Sequence, residues 1–323
     1  MVTDARAGSN ALPAGLRDAE PGRAGGRARR NRVTGPRKSV RRTYSPLFYL
    51  PAGVVYLVIF VVPTALSFYF ALTRWTLFDA KFIGLDNFRQ FFSEQSLRSS
   101  LRNTLVYAVV TSGLKVVLAL GLGVLLTSRL RSRGLLRSVV FFPVLVSTVA
   151  VGITFSVLLA PDTGLVDKVL AVFGVSGPDW LGQANTALIS VALVDVWKGV
   201  GLATVIYIAG IMSIPQEYYE AVSADGGGSW AKFWHVTLPL SRPATFTVIL
   251  LSFIGGLRSF DLIWTMTKGG PGFASDTIAS VIYKQYQAGF FGLSTAGNVV
   301  LFVLVTLIVF PLYRYFNSRE VDL

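Results

Sequence analysis

Cysteine is absent from the 323 residues and histidine occurs once, at His235. Disulfides, thiol catalysis and Cys-ligated metal sites are therefore excluded, and a histidine metal site has no second imidazole to draw on. Charge is scarce as well: Asp, Glu, Lys and Arg make up 15% of the chain, against roughly a quarter in a soluble domain. Nowhere does the sequence offer a Ser-His-Asp or paired-carboxylate arrangement for catalysis. It also lacks a Gly-x-x-x-x-Gly-Lys-Ser/Thr loop to cradle nucleotide phosphates. What is present is apolar: 52% of residues are hydrophobic and the mean hydropathy is +0.57. These values describe a chain built to sit in a bilayer.

The basic residues are unevenly placed. Eleven of them, from Arg6 to Arg42, precede the first apolar run, opposed only by Asp4, Asp18 and Glu20. Residues 1–46 are rich in Arg, Gly, Ala and Pro, cannot bury enough surface to offset chain entropy, and are expected to form a disordered cytoplasmic tail. No aromatic residues are interleaved for base stacking, so nucleic acid is not an expected partner. A cleaved signal peptide fits poorly, because the charged region is too long and the run after it is about a full span in length.

A bilayer core of about 30 Å needs about 20 apolar helical residues. Stretches near 48–73, 104–127, 139–160, 186–210, 243–265 and 293–316 qualify, which predicts an all-α integral membrane protein of about six transmembrane helices. The implied organisation is the tail at 1–46, a first transmembrane helix and external segment over 47–100, a transmembrane domain over 101–316 and a cytoplasmic C-terminus at 317–323. Arg129, Arg131, Arg133 and Arg137 crowd one junction with no acid, whereas Asp162, Asp167 and Asp179 face only Lys168 in the next. The positive-inside rule puts the first junction inside and the second outside. Both termini, with Arg314 and Arg319, and the segment 211–242 then fall in the cytoplasm of a multi-pass cell-membrane protein.

That segment encodes a helix, a turn and a second helix. Pro215 suits a first helical position, Glu217 and Glu220 favour the positive end of the helix dipole, and Gly226 to Gly228 permit a left-handed turn. Ser229 is placed to cap the second helix, whose Trp230, Phe233, Trp234 and Leu238 fall at helical spacing before Pro239 stops it. His235, alone on this apolar helix, reads as a packing residue.

Glu220-Ala221, Asp225-Gly226 and, about a dozen residues on, Leu238-Pro239 resemble the EAA loop of ABC-importer permeases, with Ser213-Ile214-Pro215 before it. Asn103-Thr104, Pro143, Trp197, Phe260-Asp261 and Thr267-Lys-Gly-Gly-Pro271 are similar to the carbohydrate-type, binding-protein-dependent permeases of the maltose and glycerol-phosphate group. Val222 and Gly227 depart from the pattern, which commonly has alanine at both. The resemblance implies the type I importer fold and a coupling role for Glu220, Ala221, Asp225, Gly226, Leu238 and Pro239. It also implies four partners: an ABC ATPase dimer docked on 211–242, a second and diverged permease subunit, an extracytoplasmic solute-binding protein and the lipid bilayer. The substrate class it implies is a sugar or sugar-like polyol. ATP and magnesium would be held by the ATPase, and no cofactor by this chain.

Ionisable groups inside spans cost at least about 2.5 kcal/mol at the bilayer centre and normally face protein or water. Lys115, Asp195 and Lys198 are the cases here. Asp195 and Lys198 share a helical face and can neutralise each other, while Lys115 can pair with Asp195 across spans, contact solute or snorkel. Trp197, beside them, is the candidate for stacking on a sugar ring. Arg258 and Asp261, three apart near the outer end of the fifth span, form either a local pair or a docking feature. A secondary active transporter is the alternative reading, but repeated halves and paired broken helices are not visible in the sequence.

The orientation has a direct check, because single cysteines are unique labels in this chain. Ser9→Cys and Ser229→Cys are expected to resist an impermeant thiol reagent on intact cells, and Gly182→Cys to react. External labelling of Ser229→Cys would overturn the cytoplasmic placement of 211–242.

Overall fold

The computed structural model describes residues 46–76, 78–128, 131–161 and 163–318. Apart from Pro46, the Arg-rich tail lies outside the described residues, as do Arg129, Asp162 and Arg319. The chain divides into two compact units, Met1–Ala52 and Gly53–Leu323. In the first, the described residues form a 3-10 turn at Pro46–Tyr49 and the opening turn of a helix.

The elements run as follows. Helix α1 (Leu47–Phe70) widens into a π turn at Leu57–Val61. A short antiparallel hairpin, β1 (Thr73–Trp75) and β2 (Ala80–Phe82), pairs Arg74 with Lys81. It is followed by α2 (Asp86–Ser93), α3 (Gln95–Thr127), α4 (Arg133–Leu145), α5 (Thr148–Leu158), α6 (Leu165–Val172) and α7 (Ala187–Met212). Then come α8 (Gln216–Ala224), α9 (Ser229–Leu240), α10 (Arg242–Leu257), α11 (Asp261–Met266), α12 (Ile278–Gln287) and α13 (Phe291–Asn317). Helices α1, α3, α7 and α13 are each long and apolar enough to cross a membrane, and the bent pairs α4–α5 and α9–α10 bring the possible spans to six.

Two of the expected spans are not straight helices. The stretch 139–160 breaks at Val146 and Ser147, whose backbones are extended, and α4 and α5 meet at 97°. Pro143 already removes one amide from the ladder of α4. The break re-aims α5 so that Gly152 packs on α11, where a Cβ would collide with Thr265 Oγ1. The stretch 243–265 ends as a helix at Leu257 and restarts at Asp261. The small β-hairpin is a further departure from an all-α chain. Sequence periodicity could not reveal it, since three residues per strand carry no pattern.

Helix α3 is the axis of the second unit, with α7 and α10 packed along it. Small residues allow the close approach that apolar solvent cannot drive. A Cβ on Gly256 of α10 would lie 2.7 Å from Ala108 Cα, and one on Gly123 of α3 would lie 2.9 Å from Tyr207 Cβ. Two buried hydroxyls of α3 bond back to their own helix, Thr104 Oγ1 to Ser100 O at 2.7 Å and Thr111 Oγ1 to Tyr107 O at 2.8 Å, while Ser112 Oγ donates across to the Ile249 carbonyl of α10 at 3.5 Å. None is left to be satisfied by lipid.

Asn103 and Thr104 do more than open the second span, which begins eight residues earlier at Gln95. Asn103 Nδ2 donates to the carbonyls of Phe273, Ala274 and Asp276 at 3.2, 3.0 and 3.0 Å, and the Ile278 amide donates to Thr104 Oγ1 at 2.9 Å. The loop so gripped contains the Thr267-Lys-Gly-Gly-Pro271 motif. Lys268, Gly269 and Gly272 have positive φ. The fully buried Asp276 accepts from Ser280 and from Lys284, both at 2.7 Å. The side chain of Asn103 is thus the clasp between α3 and a backbone that has no ladder of its own. Asn103→Ala removes the side-chain donor from three carbonyls, of which only that of Phe273 keeps a backbone partner in the Asp276 amide, and is expected to cost about 2 kcal/mol, read as a lower melting temperature in detergent and faster proteolysis within 267–277. Unchanged melting and proteolysis would exclude the clasp.

Candidate functional site

The first part of the site is the segment between α7 and α10. Ser213 ends α7, and Pro215 takes the capping position of α8 with an extended backbone, one residue before the position expected of it. Asp225 ends α8, and Gly226, at φ +80°, makes the left-handed turn that its type and place predict. Gly228 stands at the N-terminal cap of α9 and Ser229 is its first residue, with no side-chain cap bond, so the capping role read for Ser229 does not hold. Nor does Pro239 stop the helix. A π turn at Phe233–Thr237 widens the ladder before it, which relieves the clash of the proline ring with a carbonyl one turn back. The helical run continues to Leu240, and the chain turns by 63° between α9 and α10.

The two short helices are held together from inside. The Tyr219 hydroxyl and Thr237 Oγ1 are 3.2 Å apart, in hydrogen-bond contact. Val222 and Gly227 share one space: a Cβ on Gly227 would lie 2.5 Å from Val222 Cγ1 and 3.2 Å from Ala231 Cβ. The two departures from the alanine pattern are therefore complementary, the larger side chain filling what the smaller one vacates. Outside, Glu220, Ala221, Asp225 and Gly226 are all exposed. Trp230 is 74% exposed and Trp234 48%, with Phe233 packed against both rings at 6.0 and 5.5 Å between centroids. An aromatic ledge beside two carboxylates is thus open at one end of the bundle. Of the ten site residues named from sequence, Leu238 and Pro239 are the two of this segment that are half-buried, where they carry α9 back toward α10. His235 is exposed, with Nδ1 3.0 Å from the Ala231 carbonyl, and is not the packing residue its neighbours suggested.

The second part lies midway along α3 and α7. Lys115 Nζ donates to Asp195 Oδ2 at 2.9 Å, with both side chains largely buried. Gly199, one turn beyond Asp195, makes room for the lysine stem: a Cβ there would lie 2.7 Å from Lys115 Cε. The cross-helix pair thus replaces mutual neutralisation of Asp195 and Lys198, and Lys198 makes no ion pair among the described residues. Tyr107, fully buried on α3, sets its hydroxyl between Ser259, at 3.3 Å, and the Asp195 carboxylate. Tyr107, Gly199 and Ser259 were missed from sequence. Only Gly199, four residues from Asp195, carried a legible signal.

Trp197 does not face that pair. Two residues along a helix are about 200° apart, so Trp197 points away, packs its ring at a tilt against Phe155 with centroids 5.2 Å apart, and lines a 230 Å³ cavity with Trp180 and Leu193. Trp180 is fixed by its Nε1 donating to Asp167 Oδ1 at 2.8 Å. Arg258 and Asp261 form no ion pair among the described residues.

Comparison with known proteins places these features in a family. Residues 115–321 match the family model described as binding-protein-dependent transport system inner membrane component. The trehalose/maltose transport system permease protein MalF of Thermococcus litoralis is 32% identical over 277 residues, which cover 85% of this chain and 94% of that protein. The diacetylchitobiose uptake system permease protein NgcF of Streptomyces coelicolor is 32% identical over 306 residues, covering 90% and 85%. The sn-glycerol-3-phosphate transport system permease protein UgpA of Agrobacterium fabrum is 28% identical over 280 residues, covering 84% and 94%. Among solved structures, a bacterial ABC transporter involved in the import of alginate shares the fold, with a TM-score of 0.73 at 22% identity over 85% of this chain and 95% of that one. An apolar multi-helix chain that matches the family model over most of its length belongs to the inner-membrane components of binding-protein-dependent transport systems, the permease subunits of ABC importers.

Proposed function

We propose that this chain forms half of the permeation pathway for a sugar or sugar-like polyol, and that residues 211–242 couple it to an ATPase dimer on the cytoplasmic side. The observation that carries the coupling is the exposed helix–turn–helix of α8 and α9. Its two halves are braced internally by Tyr219, Thr237, Val222 and Gly227, while Glu220, Asp225, Trp230 and Trp234 are left facing outward. A rigid body that leaves an aromatic ledge and two carboxylates uncovered is suited to a partner's cleft. ATP and magnesium belong to that partner, because this sequence has no phosphate-binding loop. A second permease subunit completes the pathway, and an extracytoplasmic binding protein delivers the solute. The sugar class is supported by the named substrates of the relatives above and by the aromatic cavity at Trp197, Phe155 and Trp180. The Arg-rich tail and the arginines of 131–137 support a cytoplasmic location for both termini.

The Lys115–Asp195 pair holds α3 to α7 at the middle of this pathway, where a lone charge is costly. Lys115→Ala is expected to reduce folded protein sharply, by about 3 kcal/mol. Replacing both partners, Lys115→Met with Asp195→Leu, is expected to restore folding without restoring uptake. Full uptake by the double variant would remove the pair from the pathway. For the coupling loop, Gly226→Val forces a β-branched residue to φ +80°, costing about 1–2 kcal/mol, and Glu220→Lys reverses a charge on the outer face. Each is expected to insert normally yet lose at least about tenfold of binding-protein-stimulated ATP hydrolysis and uptake. Wild-type stimulated hydrolysis in both variants would refute the coupling role.

A further inference from the structure

The end of the bundle that carries α8 and α9 also holds a cavity to which no role has been given. It has a volume of about 320 Å³ and lies where α4 packs across the last turn of α3 and the second half of α7. Its walls are apolar, formed chiefly by Leu126, Val140, Phe141, Val205 and Ile208. Gly201 lets α4 come this close, since a Cβ there would lie 2.5 Å from the Val140 carbonyl. One wall is different: Arg137 brings its guanidinium into this apolar setting. Nη2 donates to the Leu126 carbonyl at 3.3 Å, and Nε is enclosed with no acceptor.

Among the described residues Arg137 forms no ion pair. No acidic residue occurs between Leu125 and Leu145 or between Gly199 and Ser213, and Asp195 is already engaged by Lys115. Arg131 and Arg133 stand exposed at the start of α4, adding positive potential at the same level. A half-buried guanidinium with one N–H enclosed and unpaired favours an anion or a further acceptor beside it. Here the missing anion has to come from outside the described residues, and it has to carry an apolar body to suit the remaining walls. A free phosphate satisfies only the first requirement.

We propose that this cavity binds one anionic phospholipid, with the phosphate against Arg137 and an acyl chain along the groove between α4 and α7. Basic pockets between helices, at the level of the headgroups, are where such lipids are recognised. The geometry separates two contributions: Arg137 selects charge, and Val205 with Ile208 supplies the apolar contact. This inference rests on the chain being embedded in a bilayer and not on the coupling role of α8 and α9.

The test is lipid retention by the purified full chain, together with any subunits that accompany it, after exchange into nanodiscs of phosphatidylglycerol or of phosphatidylcholine and release for native mass spectrometry. The expected result is one retained phosphatidylglycerol per chain and about tenfold less phosphatidylcholine, a ratio typical of one charge-assisted contact. Arg137→Gln should lower phosphatidylglycerol retention about tenfold, and Arg137→Lys should keep most of it. Val205→Trp, which fills the apolar end, should lower retention of both lipids. Arg131→Gln removes an equal charge outside the cavity and should leave retention unchanged. Equal retention of the two lipids, equal loss in Arg131→Gln and Arg137→Gln, or no retained lipid because a second permease chain covers the cavity would each overturn the proposal. So would inorganic phosphate displacing the lipid.

Discussion

A polar group removed from water has to find its partner inside the protein, and in this chain most of those partners are gathered along α3. Its N-terminal third supplies Asn103 and Thr104 to a loop that has no helix or strand ladder of its own. Its middle supplies Tyr107 and Lys115 to Ser259 and Asp195. At its C-terminal end the Leu126 carbonyl receives Arg137. The helices around α3 are therefore positioned by directional polar contacts at three levels, with small residues letting backbones approach between them. In a medium as apolar as the side chains themselves, burial alone gives little reason for one packing over another. The polar contacts, being few and directional, supply that reason.

Much of this was legible beforehand, and the reasons are physical. Span length and apolar composition are set by the thickness of the bilayer, so six stretches could be located from sequence. The left-handed turn at Gly226 was legible because glycine alone adopts it without strain. The Lys115–Asp195 contact was one of several open pairings, and distance along the chain could not choose among them. What decided it was Gly199, whose missing side chain admits the lysine stem. Directions within a span were harder to read. Trp197 stands two residues from Asp195 in sequence but on the far side of α7, against Phe155 and Trp180, because helical phase and not proximity in sequence sets neighbours.

The breaks were the least legible features. Pro143 and Pro239 both signal interruption, yet the first bend falls three residues after its proline and the second helix runs through its proline by way of a π turn. In the first case the site of the bend accompanies the packing of the following segment, Gly152 of α5 against Thr265. A proline marks where bending is cheap, and tertiary contact decides where it happens.

The shared space of Val222 and Gly227 bears on how such a loop changes over time. In a sequence with alanine at both positions, enlarging residue 222 first would drive its methyl groups into the Cβ across the turn. Shrinking residue 227 first would leave only a small gap. Glycine at 227 therefore relieves two contacts, one with the Val222 side chain and one with the residue 222 carbonyl at 2.8 Å, and valine at 222 is tolerated in this geometry only beside it. The same asymmetry means that grafting α8 or α9 alone from a relative with the alanine pair carries a hidden incompatibility, while exchanging the whole turn does not. Epistasis of this kind is invisible in either residue taken singly, and here it can be read from a single 2.5 Å approach.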